Sequence, residues 1–291
     1  MIARCPAKVN LTLRVLGRRP DGYHELRTVF QAVDLWDTLE AEPARGLHLR
    51  CDFPGLAEDG SNLVLRAASA LREAAGRPDL GASLVLRKRI PVGGGMGGGS
   101  SDAAGALLLL SRLWSLNVPG RRLRALAAGL GSDVPFFLQG GTALGRGRGE
   151  DLVPLPCAGP RPILLGIPPF GTSTGEVYAA LTAGGAGVSL RRLSAGNWRQ
   201  DNEFSAPRND LEATVVARWP EIGSFRDALA RQGAVQASVA GSGSTVFGVF
   251  AEEAQRRGAA EALGRMFTTW KLLETRAIRG AAHVETGGTS G

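Results

Sequence analysis

The hydrophobic and polar positions change period several times along the chain, and each change marks an element. In "KVNLTLRVLG" (8–17) polar and apolar residues alternate, the period of a half-buried strand, and "RRPDGYHEL" sets a Pro-Asp-Gly turn before a return strand "LRTVFQAV". Short strands are predicted at "DTLEAE" and "GLHLRCDF". "NLVLRAASALREAAG" (62–76) carries its apolar residues at helical spacing and stops at Gly76. "ASLVLRKRIP" (82–91) reads as a strand that delivers the chain to "PVGGGMGGGSSDAAGALLLL" (91–110). Here six glycines fill seven positions ahead of a helix over about 101–114, and a second helix is predicted at "RRLRALAAGLG".

After "GSDVPFFLQGGTALGRGRGE" the texture shifts. "RPILLGIPP" is a buried-type strand, "TGEVYAAL" a short helix, and 183–208 has little hydrophobic period. Helices are predicted at "NDLEATVVARW", with Asn209 as its N-cap, and at "SFRDALARQG". "AVQASVAGSGSTVFGVF" reads as strand, glycine turn, strand; a helix "AEEAQRRGAAEALGRM" and a strand "TTWKLLETRAI" follow. The polar tail 281–291 is expected to be disordered. No internal repeat is visible, and the proline-rich "VPLPCAGPRP" suggests units of 1–156 and 157–280.

Composition narrows the class. With 291 residues, 44% hydrophobic and 21% charged, the chain has ample core, and it contains no long uncharged apolar run suited to a membrane span. Three scattered cysteines argue against a disulfide framework or a zinc site and fit a reducing cytoplasm. The net charge of +7 raises nucleic acid as a partner. Yet the arginines are dispersed, aromatic residues make up only 6%, and the excess follows a general bias toward Arg, Gly and Ala. Small molecules are therefore the expected partners, without nucleic acid or membrane, and no oligomeric state is read from the chain. Only three lysines occur (Lys8, Lys88, Lys271), so a lysine in an apolar setting stands out.

Three readings compete for the glycine run. A flexible linker is not usually flanked so closely by a strand and a capped helix. Gly93, Gly95 and Gly98 match a GxGxxG dinucleotide fingerprint, but that needs an acidic residue about 20 positions on. Between Ala103 and Ser132 there is no Asp or Glu. The third reading is a phosphate cradle: glycines let backbone N–H groups approach an anion, and a helix N-terminus adds roughly half a positive charge. Ser100 and Ser101 can donate hydroxyls or cap, and Asp102 can cap but would repel phosphate unless a metal intervened. The lysine of GxxxxGK[ST] is absent, so charge must come from elsewhere.

Lys8, in "CPAKVNLTL", and Asp133, wedged into "GSDVPFFL", are the candidates. Each has an ordinary alternative, a solvated strand lysine and a turn or helix cap; with the loop they make a pair suited to hydroxyl activation. Phe30, Phe136 and Phe137 are expected in the core, and His48 and His283 to be structural or solvated.

"PAKVNLTLRVLGRRPDGYHEL", "PVGGGMGGGSSDAAGALLLL" and "VAGSGSTVFGVF" resemble, in order, the three motifs of the galactokinase, homoserine kinase and mevalonate kinase (GHMP) superfamily. The first, with "GSDVPFFLQGGTALGRGRGE", is similar to the branch acting on the cytidylyl sugar alcohol of non-mevalonate isoprenoid synthesis. The resemblance covers about residues 3–280. It implies an α+β, two-domain GHMP kinase fold: a ribosomal-protein-S5-like N-terminal domain, a ferredoxin-like C-terminal domain and an active site between them. It implies ATP and Mg2+, and transfer of the γ-phosphoryl group to the acceptor's 2-hydroxyl. The nucleotide phosphates would lie along Pro91, Val92, Gly93, Gly94 and Gly95, past Met96, to Gly97, Gly98, Gly99, Ser100 and Ser101. Lys8 and Asp133 align with the family's catalytic pair. Asn10 could hydrogen-bond the acceptor, Tyr23 and His24 could stack on and read its cytosine, and Tyr178 sits where the family has another aromatic. Gly241 and Gly243 would close under the phosphates or support the first loop; a plain strand turn is the other reading. Ala240 stands where many relatives carry serine. For the metal, Ser100, Ser101 and Asp133 are candidates beside an ion held by phosphates and water. Homoserine- or mevalonate-type kinases, and a basic RNA-binding protein, are the alternative functions.

Overall fold

The computed structural model describes residues 1–157, 159–183 and 208–285. Two long strands organise it, β1 (Ile2–Arg18) and β2 (His24–Pro43), joined by the expected Pro-Asp-Gly turn, in which Gly22 takes φ +85° and the Asp21 carboxylate accepts the Tyr23 N–H. β3 (Leu47–Cys51), α1 (Leu63–Ala74) and β4 (Ala82–Arg87) form a parallel crossover. Next come α2 (Gly98–Leu113), α3 (Gly120–Leu130), α4 (Val134–Gln139), β5 (Thr142–Gly147) and β6 (Asp151–Leu155). The second half holds β7 (Pro162–Ile167), α5 (Thr174–Ala183), α6 (Glu212–Arg218), α7 (Pro220–Arg231), β8 (Gln236–Val239), β9 (Val246–Val249), α8 (Glu253–Met266), β10 (Lys271–Arg276) and β11 (His283–Glu285). One sheet runs β11-β1-β2-β4-β3, with β5 on the rest of β2 and β6 beyond it; the other is antiparallel, β10-β7-β9-β8.

The alternation of β1 explains how one strand serves both sheets and a site. Its odd residues enter three cores in turn: Ala3 and Cys5 pack with α1 and α2, Ala7 and Val9 with Leu165 and Phe247, and Leu13 and Val15 with Leu211 and Phe225. Its even residues Lys8 and Asn10 are therefore presented on the opposite side. Phe30, Phe136 and Phe137 are fully buried, as expected, and His48 Nε2–H donates to the Arg45 carbonyl at the surface.

Several expectations need correction. "DTLEAE" is no separate strand: β2 continues through it, and a bulge opposite Pro6/Ala7 absorbs the polar residues around Asp34. The helix after the glycines begins at Gly98, inside the run, not at 101. The strand before them ends at Arg87. Asn209 precedes α6 by more than a cap position; its side-chain oxygen accepts the Leu211 N–H, while its amide donates to the carbonyls of Val239 and Gly241. The expected disordered tail is taken up in part by β11, which pairs with Ile2–Arg4; residues 286–291 lie outside the described set. So does most of the aperiodic stretch 183–208, namely 184–207.

Candidate active site

A cavity of about 1130 Å³ opens where the two sheets meet. At one end stand Tyr23, His24 and Tyr178, at the centre Lys8, Asn10 and Asp133, and beyond them the glycine loop, ending against Leu56, Asn62 and Leu63.

The loop's glycines are used in distinct ways. Gly93, Gly95 and Gly97 hold φ near +72°, where an L side chain is strained. A Cβ on Gly95 would lie 2.0 Å from the Ala240 carbonyl oxygen, and one on Gly97 2.7 Å from Phe137 Cζ. A Cβ on Gly98 would stand 3.1 Å from Lys88 Nζ. The loop is thus pressed between β1, α4 and the turn after β8, and α2 emerges with its N-terminus at the cavity. Its first N–H groups have no helical acceptor, the arrangement that attracts an anion. Of the expected loop residues, Pro91 through Ser100 line the cavity. Ser101 does not: one position further round the helix it is fully buried, and its hydroxyl has no hydrogen-bond partner.

Lys8 is 4% exposed, and its ammonium is held by three acceptors. Nζ donates to Asn10 Oδ1 at 2.8 Å and to the Gly95 carbonyl at 2.9 Å, and lies 3.4 Å from Asp133 Oδ2. Asn10 is fixed by donating to Thr28 Oγ1, which donates to the Thr12 carbonyl. Asp133 begins α4 yet makes no side-chain cap bond. Its carboxylate turns to Lys8 and the cavity, which removes the helix-cap alternative.

The turn bearing Gly241 and Gly243 packs on the first loop: the Thr245 N–H donates to the Gly94 carbonyl, and a Cβ on Gly241 would lie 3.5 Å from Lys8 Nζ. The Ala240 carbonyl faces Gly95 of the loop, and its methyl lies in the core cluster that also holds Met96. At the far end the His24 and Tyr178 rings lie 4.9 Å apart at 31°, and the Arg148 guanidinium sits 4.9 Å over Tyr23, which is 55% exposed. Burial and Arg18 lower the His24 pKa below its usual 6.5, keeping the ring neutral at pH 7; burial, then Asp133, raises that of Tyr178. Arg18 and Arg148 add positive charge to this end of the cavity.

The sequence reading noted Lys88 as a scarce lysine and Asp102 as a possible cap, but missed Asp37 and the pairing of the three. Lys88 Nζ donates to Asp37 Oδ2 at 2.5 Å and Asp102 Oδ2 at 2.6 Å, all three buried beneath the loop. Asp102 is therefore no cap facing phosphate. Burial pushes its pKa up to about 8, against the pull of Lys88 and with Asp37 adding to the rise. The signal available in the sequence was the scarcity of lysine.

A glycine-rich loop at a helix N-terminus, a buried ammonium beside a carboxylate and a cleft between two sheets are features suited to a small-molecule phosphotransferase. The chain belongs to the GHMP kinases: the model of their N terminal domain matches residues 62–141 and that of their C terminal domain residues 179–269. It is 44% identical, over 93% of its length and 95% of the relative's, to a 4-diphosphocytidyl-2-C-methyl-D-erythritol kinase of Pelotomaculum thermopropionicum. A kinase of the same name from Geobacter metallireducens is 38% identical over 94% of this chain and 98% of its own. A crystal structure of 4-(cytidine 5'-diphospho)-2C-methyl-D-erythritol kinase superposes with a TM-score of 0.75 at 38% identity, covering 95% of this chain and 99% of that one. Homoserine kinase from Cytophaga hutchinsonii shares the fold alone, with a TM-score of 0.74 at 18% identity over 97% of this chain and 96% of that one. The GHMP family implies ATP as co-substrate. No helix among the described residues is long and apolar enough to cross a membrane.

Proposed function

We propose that this protein transfers the γ-phosphoryl group of ATP to the 2-hydroxyl of 4-diphosphocytidyl-2-C-methyl-D-erythritol, a step of non-mevalonate isoprenoid precursor synthesis. The observation that carries this reading is a single cavity with three ends of matching chemistry: an aromatic cluster with a neutral histidine, the Lys8–Asp133 pair, and a phosphate loop. Near-full-length relatives named for this reaction support it.

In this reading the cytidine end rests against Tyr23, His24 and Tyr178, with Arg18 and Arg148 facing the diphosphate. Asn10 orients the sugar alcohol. The nucleotide phosphates take the N–H groups of Gly93–Ser100, and its base turns toward Leu56, Asn62 and Leu63. The acceptor oxygen forms a bond to the γ-phosphorus as the bond to the β–γ bridging oxygen breaks; ADP leaves, and the hydroxyl proton passes to Asp133. Lys8, held rigid by Asn10 and the Gly95 carbonyl, faces the developing charge at no cost of reorganisation. Residues 1–156 supply the loop and the pair; residues 157–280 supply Tyr178 and the Gly241–Gly243 turn.

Among the described residues no three His, Cys, Asp or Glu side chains converge on a metal site. Ser100 and Asp133 face the cavity, a donor set that suits Mg2+ held mainly by phosphates and water. Bound there, the ion would neutralise phosphate charge. A coupled ADP-release assay tests the reaction: turnover is expected with the cytidylyl acceptor and none with homoserine or mevalonate. Turnover with either of those, and not with the cytidylyl compound, would refute the proposal.

A further inference from the structure

We infer that Asp37, Lys88 and Asp102 form a buried clamp that joins the two stems of the phosphate loop and so positions it for the nucleotide; this rests on the reading of residues 91–100 as the ATP phosphate site. The loop leaves the sheet after β4 and returns as the first turn of α2. On the entering stem, Asp37 Oδ1 accepts the N–H groups of both Arg89 and Ile90, at 2.5 and 2.8 Å. The Lys88 N–H is taken by Asp52 Oδ1 at 2.7 Å. On the returning stem, Asp102 is drawn to the same ammonium as Asp37. Among the described residues Lys88 Nζ is thus the group hydrogen-bonded to both Asp37 and Asp102, and it lies beneath Gly98, where α2 begins.

Three further features suit a positioning role better than a generic core contact. Ionic groups this deep are expensive to bury, and a well-packed apolar trio would hold a core as well. Directional bonds are what a loop of six glycines lacks, because its own side chains contribute none. Asp102 Oδ1 has no hydrogen-bond partner while Oδ2 is turned to Lys88, so this side chain is directed at the ammonium that joins the stems. Lys88 therefore differs in kind from the lysine of other phosphate loops: its charge is spent on two carboxyl groups, and it acts on the nucleotide through the loop.

The experiment uses the full chain and two probes, ADP for the loop and 4-diphosphocytidyl-2-C-methyl-D-erythritol for the other end, both followed by calorimetry beside steady-state kinetics. Lys88→Met cuts both links. Asp102→Ala cuts only the returning stem and leaves the Lys88–Asp37 pair, so it serves if the first variant does not fold. Each is expected to raise the ADP dissociation constant and the ATP KM about tenfold, with the cytidylyl dissociation constant within threefold of the parent. A lysine that contacted phosphate directly would be released by Asp102→Ala, and ADP would then bind as well as before or better; that result overturns the clamp. Equal weakening of both ligands would also overturn it, as general damage. Failure of the unaltered protein to bind ADP would instead overturn the phosphate-site reading, and the clamp's role in nucleotide binding with it.

Discussion

Asp133→Asn is expected to lower turnover by about 10²- to 10⁴-fold, the range typical of a positioned acid–base group, with both KM values within a few-fold of the parent. The substitution keeps the shape of the side chain and removes its ability to take a proton, together with the charge that faces Lys8. Asp133 makes no cap bond, and Lys8 keeps Asn10 and the Gly95 carbonyl, so the fold has little reason to suffer. The melting temperature is expected within a few degrees of the parent. A variant retaining a tenth or more of normal turnover would remove Asp133 from the reaction. Lys8→Ala is a blunter probe: it empties a buried position and takes the ammonium from its three acceptors, so stability falls along with turnover.

Gly95→Ala is expected to be severely damaging for a single added methyl. Its φ of +73° already costs an alanine roughly 1–2 kcal/mol. The added carbon would also stand 2.0 Å from the Ala240 oxygen and 2.7 Å from the Gly243 oxygen. Both are backbone atoms that cannot rotate away, so the two glycine turns must separate. Lys8 then loses the carbonyl that fixes it, and the loop loses its support. Turnover is expected to fall at least a hundredfold, with a clear drop in melting temperature. Gly99→Ala is the control for stability: its Cβ would meet nothing nearer than Leu63 Cδ1 at 3.6 Å, and the melting temperature should hold or rise slightly. Equal melting temperatures for the two variants would contradict the packing described for the loop.

The contrast between these glycines shows what was legible in the sequence. The run led to the expectation of a phosphate loop at a helix start, but which glycines are obligatory depends on the turn after β8, distant in the chain. Alternation along β1 placed Lys8 and Asn10 on one face directly. Ser100 and Ser101 looked equivalent; starting α2 three residues early turned one to the cavity and the other into the core. No element was assigned to "GGTALGRGRGE", since glycine is poor in strands, yet it forms β5 and leads into β6. There Gly145 is needed where a Cβ would stand 2.7 Å from Phe30, a packing demand no local pattern reveals. The clamp was invisible for a related reason. Asp37 reaches Lys88 only because β2 runs on through its bulge, where the polar residues suggested a break. His24 and Tyr178 meet only when the two halves of the chain come together.

The most direct test of the account is the identity of the product. After incubation with ATP and 4-diphosphocytidyl-2-C-methyl-D-erythritol, ³¹P and ¹³C spectra should show a new phosphomonoester coupled to the C2 carbon of the tetritol, formed in step with ADP. Phosphate on any other hydroxyl, or ADP and inorganic phosphate without a new ester, would contradict the placement of that hydroxyl between Asp133 and the glycine loop.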